Sequence, residues 1–245
     1  MALAALHAVG PSWLFLAQPQ SSSTSAMKSL GHMANLAAKQ QYPCFSLVCH
    51  DTMGCYGRND PFFTMLDHSD VCELSSTVIS QWAKSRTTIF KQHMVPTKHN
   101  VELLLRQQQN VVVLTRDPYH AAHGLCERAL KGGKLNSEGM ILLPYIGSRV
   151  SLTAVLATFQ AWIAGWEEVA RKHPGMFTFI RFEDMVVDRG RELRKALDWW
   201  GIPQKKPFED VHSRYVHAND PRCDALLMPP APPMMPPHPP PVPLP

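Results

Sequence analysis

Three short stretches of this chain carry residues whose types and spacing suit chemistry on an anion. In "NVVVLTRDPYHAAHGLCERA" an apolar, β-branched run, Val111 to Leu114, ends in Thr115-Arg116-Asp117-Pro118 and passes into a helical pattern. An arginine at the mouth of a buried strand, followed by a proline-started helix, puts a guanidinium beside several free backbone amides, a setting that binds phosphate. Arg116 can grip two oxygens at once, and Asp117 can orient the loop; a plain surface pairing of Arg116 with Asp117 accounts for the same residues. In "TTIFKQHMVPTKHN", Lys91 and His93 lie two apart on a strand end, so they share a side, and Pro96 stops the strand. His93 is placed to take a proton from a hydroxyl nucleophile, and Lys91 to neutralise charge on a bridging oxygen. In "FLAQPQSSSTSAMKSL" a hydroxyl-rich turn, Ser21, Ser22, Ser23, Thr24 and Ser25, leads into a helix, the geometry of a phosphate-cradling loop. The glycines and lysine of a P-loop are absent, and a well-capped linker reads the same way.

These loops need strands to carry them. Trp13 to Leu16, Phe45 to Cys49, Thr88 to Gln92, Val111 to Leu114 and Phe177 to Arg181 have the β-branched and aromatic content of strands. Between them lie helical stripes: Met27, Leu30, Met33, Ala34 and Ala37, then Leu152, Val155, Leu156, Phe159, Trp162, Ile163, Trp166 and Val169. The last helix is delimited by Asp188 as a cap, by Leu193, Ala196, Leu197 and Trp200 on its face, and by Gly201 and Pro203 at its end. Strands alternating with helices through long connections imply an α/β fold of three layers, a P-loop-like parallel sheet flanked by helices. In such sheets ligands sit outside the carboxyl ends of the strands, where the three stretches fall. Asp51 to Ser76 and Lys131 to Ser148 read as variable loops.

Composition narrows the class. The 245 residues suit one domain, 1–227, followed by a proline-rich tail, 228–245, extended or disordered. That tail offers a ligand to SH3- or WW-type grooves; a passive extension has the same composition. A formal charge of +4 without an aromatic-interleaved basic patch argues against nucleic acid and fits a small anion. The six cysteines lack the regular density of a disulfide scaffold and fix no redox compartment, while Cys44, Cys49, His50 and Cys55 are spaced too loosely for a zinc knuckle, so that group is expected to be buried thiols and no metal site. "SWLFLA" is too short to span a membrane and has no basic segment before it.

Together these residues resemble the sulfotransferases, which move a sulfuryl group from 3′-phosphoadenosine 5′-phosphosulfate (PAPS) to a hydroxyl or amine. Pro19-Gln20-Ser21-Ser22-Ser23-Thr24-Ser25 is similar to the family's P-K-S-G-T-T-W loop, Lys91-Gln92-His93-Met94-Val95-Pro96 to its K-T-H-x-P strand end, and Arg116-Asp117-Pro118 to its R-D-P. "FTFIRFEDMVVDRGRELRKALDWWGIP" resembles the strand, Y-E-D-L turn and helix that follow, and "RDPYHAAHGLCERALKGGK" with "FQAWIAGW" is most like the carbohydrate-directed, WSC-domain type. The resemblance implies PAPS as co-substrate, no metal, a small-molecule or glycan acceptor, His93 as base with Lys91 beside the transferring group, and Gln20 to Ser25 with Arg116 as the donor site. Glu183 and Asp184 would serve capping and hydrogen bonding near that site. It also implies the Golgi lumen if an upstream anchor is missing from this chain, and the cytoplasm otherwise. Gln20 stands at the loop lysine, Ser22 at its glycine, Ser25 at its aromatic, and Gly124 where many members have a serine that shares the 3′-phosphate with Arg116, a role open to His123 or Arg128. An active sulfotransferase and a catalytically impaired relative, acting as a nucleotide-binding or proline-tail adaptor, both remain open.

Overall fold

The fold is drawn from a computed structural model, which describes residues 13–18, 23–40, 88–92, 94–106, 110–136, 138–143, 148–209 and 220–227. The expected strand Phe45–Cys49, the loop Asp51–Ser76, the Cys44/Cys49/Cys55 group and the tail lie outside the described residues. Five strands, β1 (Trp13–Ala17), β2 (Ala37–Gln40), β3 (Thr88–Gln92), β4 (Val111–Thr115) and, later in the chain, β7 (Phe177–Arg181), pair in parallel in the order β2-β3-β1-β4-β7. The chain leaves β1 through α1 (Ser23–Ala34) toward β2, whereas β3 crosses through α2 (Lys98–Arg106) past β1 to β4. The connections therefore diverge around β1, which makes its carboxyl end the place for a ligand.

Alternation along the strands builds the three layers. Phe15, Ala17, Ile89, Val112, Leu114 and Ile180 face Met27, Leu30 and Met33 of α1 and Leu193, Ala196 and Leu197 of α5 (Phe182–Trp199). Leu14, Leu16, Val111 and Val113 face the opposite way, onto Leu103 and Leu104 of α2 and Trp162 and Trp166 of α4 (Leu152–Lys172). A central strand buried on both sides must be apolar throughout, hence the unbroken Val-Val-Val-Leu of β4. The first half of α4 serves another cluster, in which Leu152, Val155 and Phe159 pack on α3 (Pro118–Lys131) and on α6 (Pro221–Leu227).

Two expectations need correction. Ala37 does not extend the α1 stripe. The helix stops at Ala34 because Asn35 takes a left-handed φ of 55°, and the amides of Asn35 and Leu36 bond back to the carbonyls of His32 and Gly31, so that β2 begins at Ala37. Lys131–Ser148 is no plain loop: β5 (Met140–Leu143) and β6 (Ser148–Ser151) pair antiparallel, and Ser151 then caps α4 by accepting from the Ala154 amide. Cys126 of α3 and Cys223 of α6 form a disulfide, outside the group for which thiols were expected.

α5 ends as its sequence demands. Gly201 takes φ 65°, and the amides of Gly201 and Ile202 bond to the carbonyls of Asp198 and Leu197. Asp188, expected as its cap, sits inside the helix at a break (φ −149°, ψ 87°), where its carboxylate accepts from the Arg191 amide at 2.9 Å. It thus caps the second segment only.

Candidate functional site

Register brings the three stretches to one edge. Leu16 pairs with Gln92, Ala17 with Leu114 and Thr115 with Arg181, so Gln18, Gln92, Arg116 and Phe182 all leave the sheet on the same side. Between β3 and β4 only β1 intervenes, but Lys91 is level with Val112, so Arg116 stands two strand spacings across and four residues further along, about 16 Å away along the backbone.

Arg116 is the best-defined member. It is 2% exposed, and a guanidinium brought into the interior has to recover the solvation it gives up. Its own amide donates to Gln18 Oε1 at 2.7 Å, tying the end of β4 to the end of β1. The guanidinium carbon lies 4.5 Å from the centre of the Phe182 ring, a cation–π contact that orients the fork. Gly124, one turn into α3, lies against it: a β-carbon there would stand 3.5 Å from Arg116 Nη1.

The turn after Arg116 is held by two carboxylates. Asp117 caps α3 by accepting from the His120 amide at 2.9 Å, with Pro118 at the first helical position, and the Asp117 amide donates to Glu183 Oε1 at 2.8 Å. Glu183 therefore joins the start of α5 to the start of α3. His123, read as a stand-in for the missing serine, turns elsewhere: its Nε2 lies 3.4 Å from Asp224 and its Nδ1 3.4 Å from Glu127, under α6. Arg128, one helical turn beyond Gly124, is exposed. Tyr119 also donates to Asp224, at 2.8 Å, and that bond to a carboxylate raises the phenol above its ordinary pKa.

Lys91 is 2% exposed, on the same pleat face as Ile89 and so on the side that α1 covers. His93, like Gln20, Ser21 and Ser22, lies outside the described residues. Ser23, Thr24 and Ser25, expected as part of a loop, form the first turn of α1. The Ser25 hydroxyl accepts from Arg189 Nη2 at 2.5 Å, a partner 164 residues away.

The chain just after β3 is clamped from behind. The Met94 carbonyl accepts from both Trp162 Nε1 (2.9 Å) and Trp166 Nε1 (3.2 Å), the Val95 carbonyl accepts from Asn100 Nδ2 (2.9 Å), and Pro96 rests on Gly165, where a β-carbon would come within 2.5 Å of its Cγ. Among the described residues no group of three His, Cys, Asp or Glu could hold a metal, and no helix is long and apolar enough to cross a membrane.

The sheet order defines an α/β protein with a topological switch point at the carboxyl end of β1. No protein-family model and no curated sequence match the chain. Solved structures do. A sulfotransferase from Alicyclobacillus acidocaldarius superposes with a TM-score of 0.56 at 10% identity, over 89% of this chain and 95% of that one. Mouse sulfotransferase SULT7A1, solved in complex with PAP, superposes with a TM-score of 0.50 at 13% identity, over 89% of this chain and 63% of its own. The chain has the sulfotransferase fold.

Proposed function

We propose that this protein is a sulfotransferase that moves the sulfuryl group of PAPS to a hydroxyl of a carbohydrate acceptor. The observation that carries the reading is Arg116, a buried guanidinium braced by Phe182 at the mouth of a central parallel strand, on a fold shared with sulfotransferases. In this reading Arg116 grips the 3′-phosphate, and the first amides of α1 with Ser23, Thr24 and Ser25 receive the 5′-phosphosulfate, together with Gln20, Ser21 and Ser22. His93 takes the acceptor's hydroxyl proton as the acceptor oxygen bonds to sulfur. The bond from sulfur to the bridging oxygen breaks in line, and 3′-phosphoadenosine 5′-phosphate (PAP) departs with charge that Lys91 offsets. The resemblance to carbohydrate-directed members supports the choice of acceptor, and the tail 228–245 is assigned as an SH3- or WW-type ligand on its composition.

A second reading, nucleotide binding without turnover, is favoured by one feature: Gln20 stands where the family has a lysine. Calorimetry with PAP tests the shared part. Wild type should bind, and Arg116→Ala should weaken binding about tenfold or more, since a charge-assisted pair is worth 1.5–3 kcal/mol. Equal heats from the two proteins would remove the donor site. Release of PAP from PAPS over a panel of glycan acceptors, lost in His93→Ala, separates enzyme from binder.

A further inference from the structure

We infer that the Cys126–Cys223 disulfide is a redox control on the donor site: intact, it backs α3 against Arg116, and its reduction lowers the affinity for PAP. The inference rests on the donor-site reading above and goes beyond it. It starts from the two sides of α3. Gly124 and Cys126 are two residues apart, about 200° round a helix of 3.6 residues per turn, so they face nearly opposite ways. On the first side a β-carbon at Gly124 would stand 3.5 Å from Arg116 Nη1, so bare helix backbone forms a wall beside the guanidinium, whose carbon lies 4.5 Å from the centre of the Phe182 ring. On the second side Cys126 is bonded to Cys223 of α6. Arg116 thus meets one face of α3 while α6 holds the other.

α6 depends on its fastenings, because seven residues are too few to stay helical alone. Cys223 and Leu227 are buried in one apolar cluster with Ala122 of α3 and Val155 and Phe159 of α4, and Asp224 accepts from Tyr119 at 2.8 Å and lies 3.4 Å from His123 Nε2. Tyr119, His123 and Cys126 follow at steps of four and three, so these ties fall on one stripe of α3. Both cysteines are fully buried, and a reductant reaches them only when α6 opens. Cys223 sits in the first turn of α6, where a short helix frays first. The step is exchange with a dithiol. One thiolate of the reductant attacks a sulfur of the pair, the S–S electrons leave on the other sulfur, and the second thiol of the reductant resolves the mixed disulfide. The reductant ends as a disulfide, Cys126 and Cys223 as two thiols. With the bond gone, α6 keeps only the Asp224 contacts and its apolar packing, and α3 loses its backing. The guanidinium then gains freedom that a bound 3′-phosphate has to remove, which lowers affinity.

The test is calorimetry with PAP on the full chain, oxidised, then reduced with dithiothreitol, then reoxidised. Affinity should fall about fivefold or more on reduction, the lower edge of ordinary coupling between sites, and return on reoxidation. Linkage demands the reciprocal effect: saturating PAP should make this disulfide harder to reduce by the same factor, read by alkylation of Cys126 and Cys223 in a dithiothreitol redox buffer. Amide exchange should quicken in α6 and α3 while β1 and β4 stay protected. The variant Cys126→Ser with Cys223→Ser should bind PAP as the reduced protein does and no longer respond to dithiothreitol; if it does not fold, loss of affinity in the natural protein must instead track alkylation of these two cysteines. Equal affinity in both redox states, or a response that persists in the variant or follows other cysteines, overturns the control and leaves the donor site standing. Loss of protection in β1 and β4 together with α6 makes the bond a staple of the whole fold and overturns it as well. Oxidised protein that binds no PAP overturns the donor site and this inference together.

Discussion

Arg116 stood out at the scale of the single residue because it follows a strand that opens with four apolar residues, although a surface pairing with Asp117 accounted for the same sequence. Its supports did not, since each lies far away in the chain: Gln18 is 98 residues distant, and Phe182 meets the guanidinium only through the pairing of β4 with β7. The one advance sign of Gln18 was its place, a polar side chain closing the run Trp-Leu-Phe-Leu-Ala. Gly124 carries a prediction of its own. A β-carbon would sit at ordinary contact distance from Arg116 Nη1, so Gly124→Ser introduces a hydroxyl without a clash. In a helix interior that change also removes about half a kcal/mol of glycine's helix penalty. A serine hydroxyl beside Arg116 should share the 3′-phosphate, and PAP affinity should rise about tenfold, in line with 1.5–3 kcal/mol for a hydrogen bond to a charged group. Unchanged affinity in a folded Gly124→Ser would show that the 3′-phosphate does not reach this point.

Elements were read best where local chemistry determines them. The stop of α5 at Gly201 and the stripe along α4 follow from residues within one or two turns, and both appear as expected. The end of α1 was missed because the apolar period runs on through Ala37 while Asn35, a residue tolerant of left-handed backbone, quietly ends the helix. The hairpin of β5 and β6 was missed for a different reason: no Asn-Gly or Asp-Gly turn announces it. Nor could spacing reveal that Trp162 and Trp166, plain core residues by periodicity, spend their indole N–H groups on one carbonyl. That carbonyl belongs to Met94, just past the end of β3. Gly165 allows the approach by presenting no side chain to Pro96. Gly165→Ala should therefore overpack this contact and cost about 1–3 kcal/mol in a urea titration. Tryptophan emission should shift to longer wavelength as the two indoles lose their acceptor. Wild-type stability and emission in the variant would mean that the contact gives way freely.

At the scale of the whole molecule, the far end of the described chain is tied back beside the candidate site, and cysteine arithmetic could not have shown it. Six cysteines allow many pairings, and Cys126 and Cys223 are 97 residues apart. Their bond fastens α6 to α3, the helix that Arg116 and Asp117 open, while Tyr119 and His123 hold Asp224 in the same contact. Asp220 stabilises the start of α6 itself by accepting from the Arg222 amide at 3.0 Å and from the Arg222 guanidinium at 2.7 Å. The guanidinium bond first, and the amide bond next, depress the Asp220 carboxyl to about 2 from its ordinary 3.8. A carboxyl depressed in the folded state contributes fully above its unfolded pKa, and the contribution fades as pH falls from about 4 toward 2. A covalent tie to α3 and a carboxylate at its own first turn thus hold one seven-residue helix, which is too short to persist alone. Breaking the covalent one by Cys126→Ser with Cys223→Ser should lower stability by about 2–5 kcal/mol, as for closure of a long loop. The two should also reveal each other. In oxidised protein, amide exchange in α6 should stay slow as pH falls from 4 to 2, because the disulfide keeps the helix in place. In the double variant the same acidification should speed exchange in α6 beyond the intrinsic pH dependence, ahead of exchange in β1 and β4. Simultaneous loss of protection in α6 and the central strands would show that α6 and the sheet open as one unit.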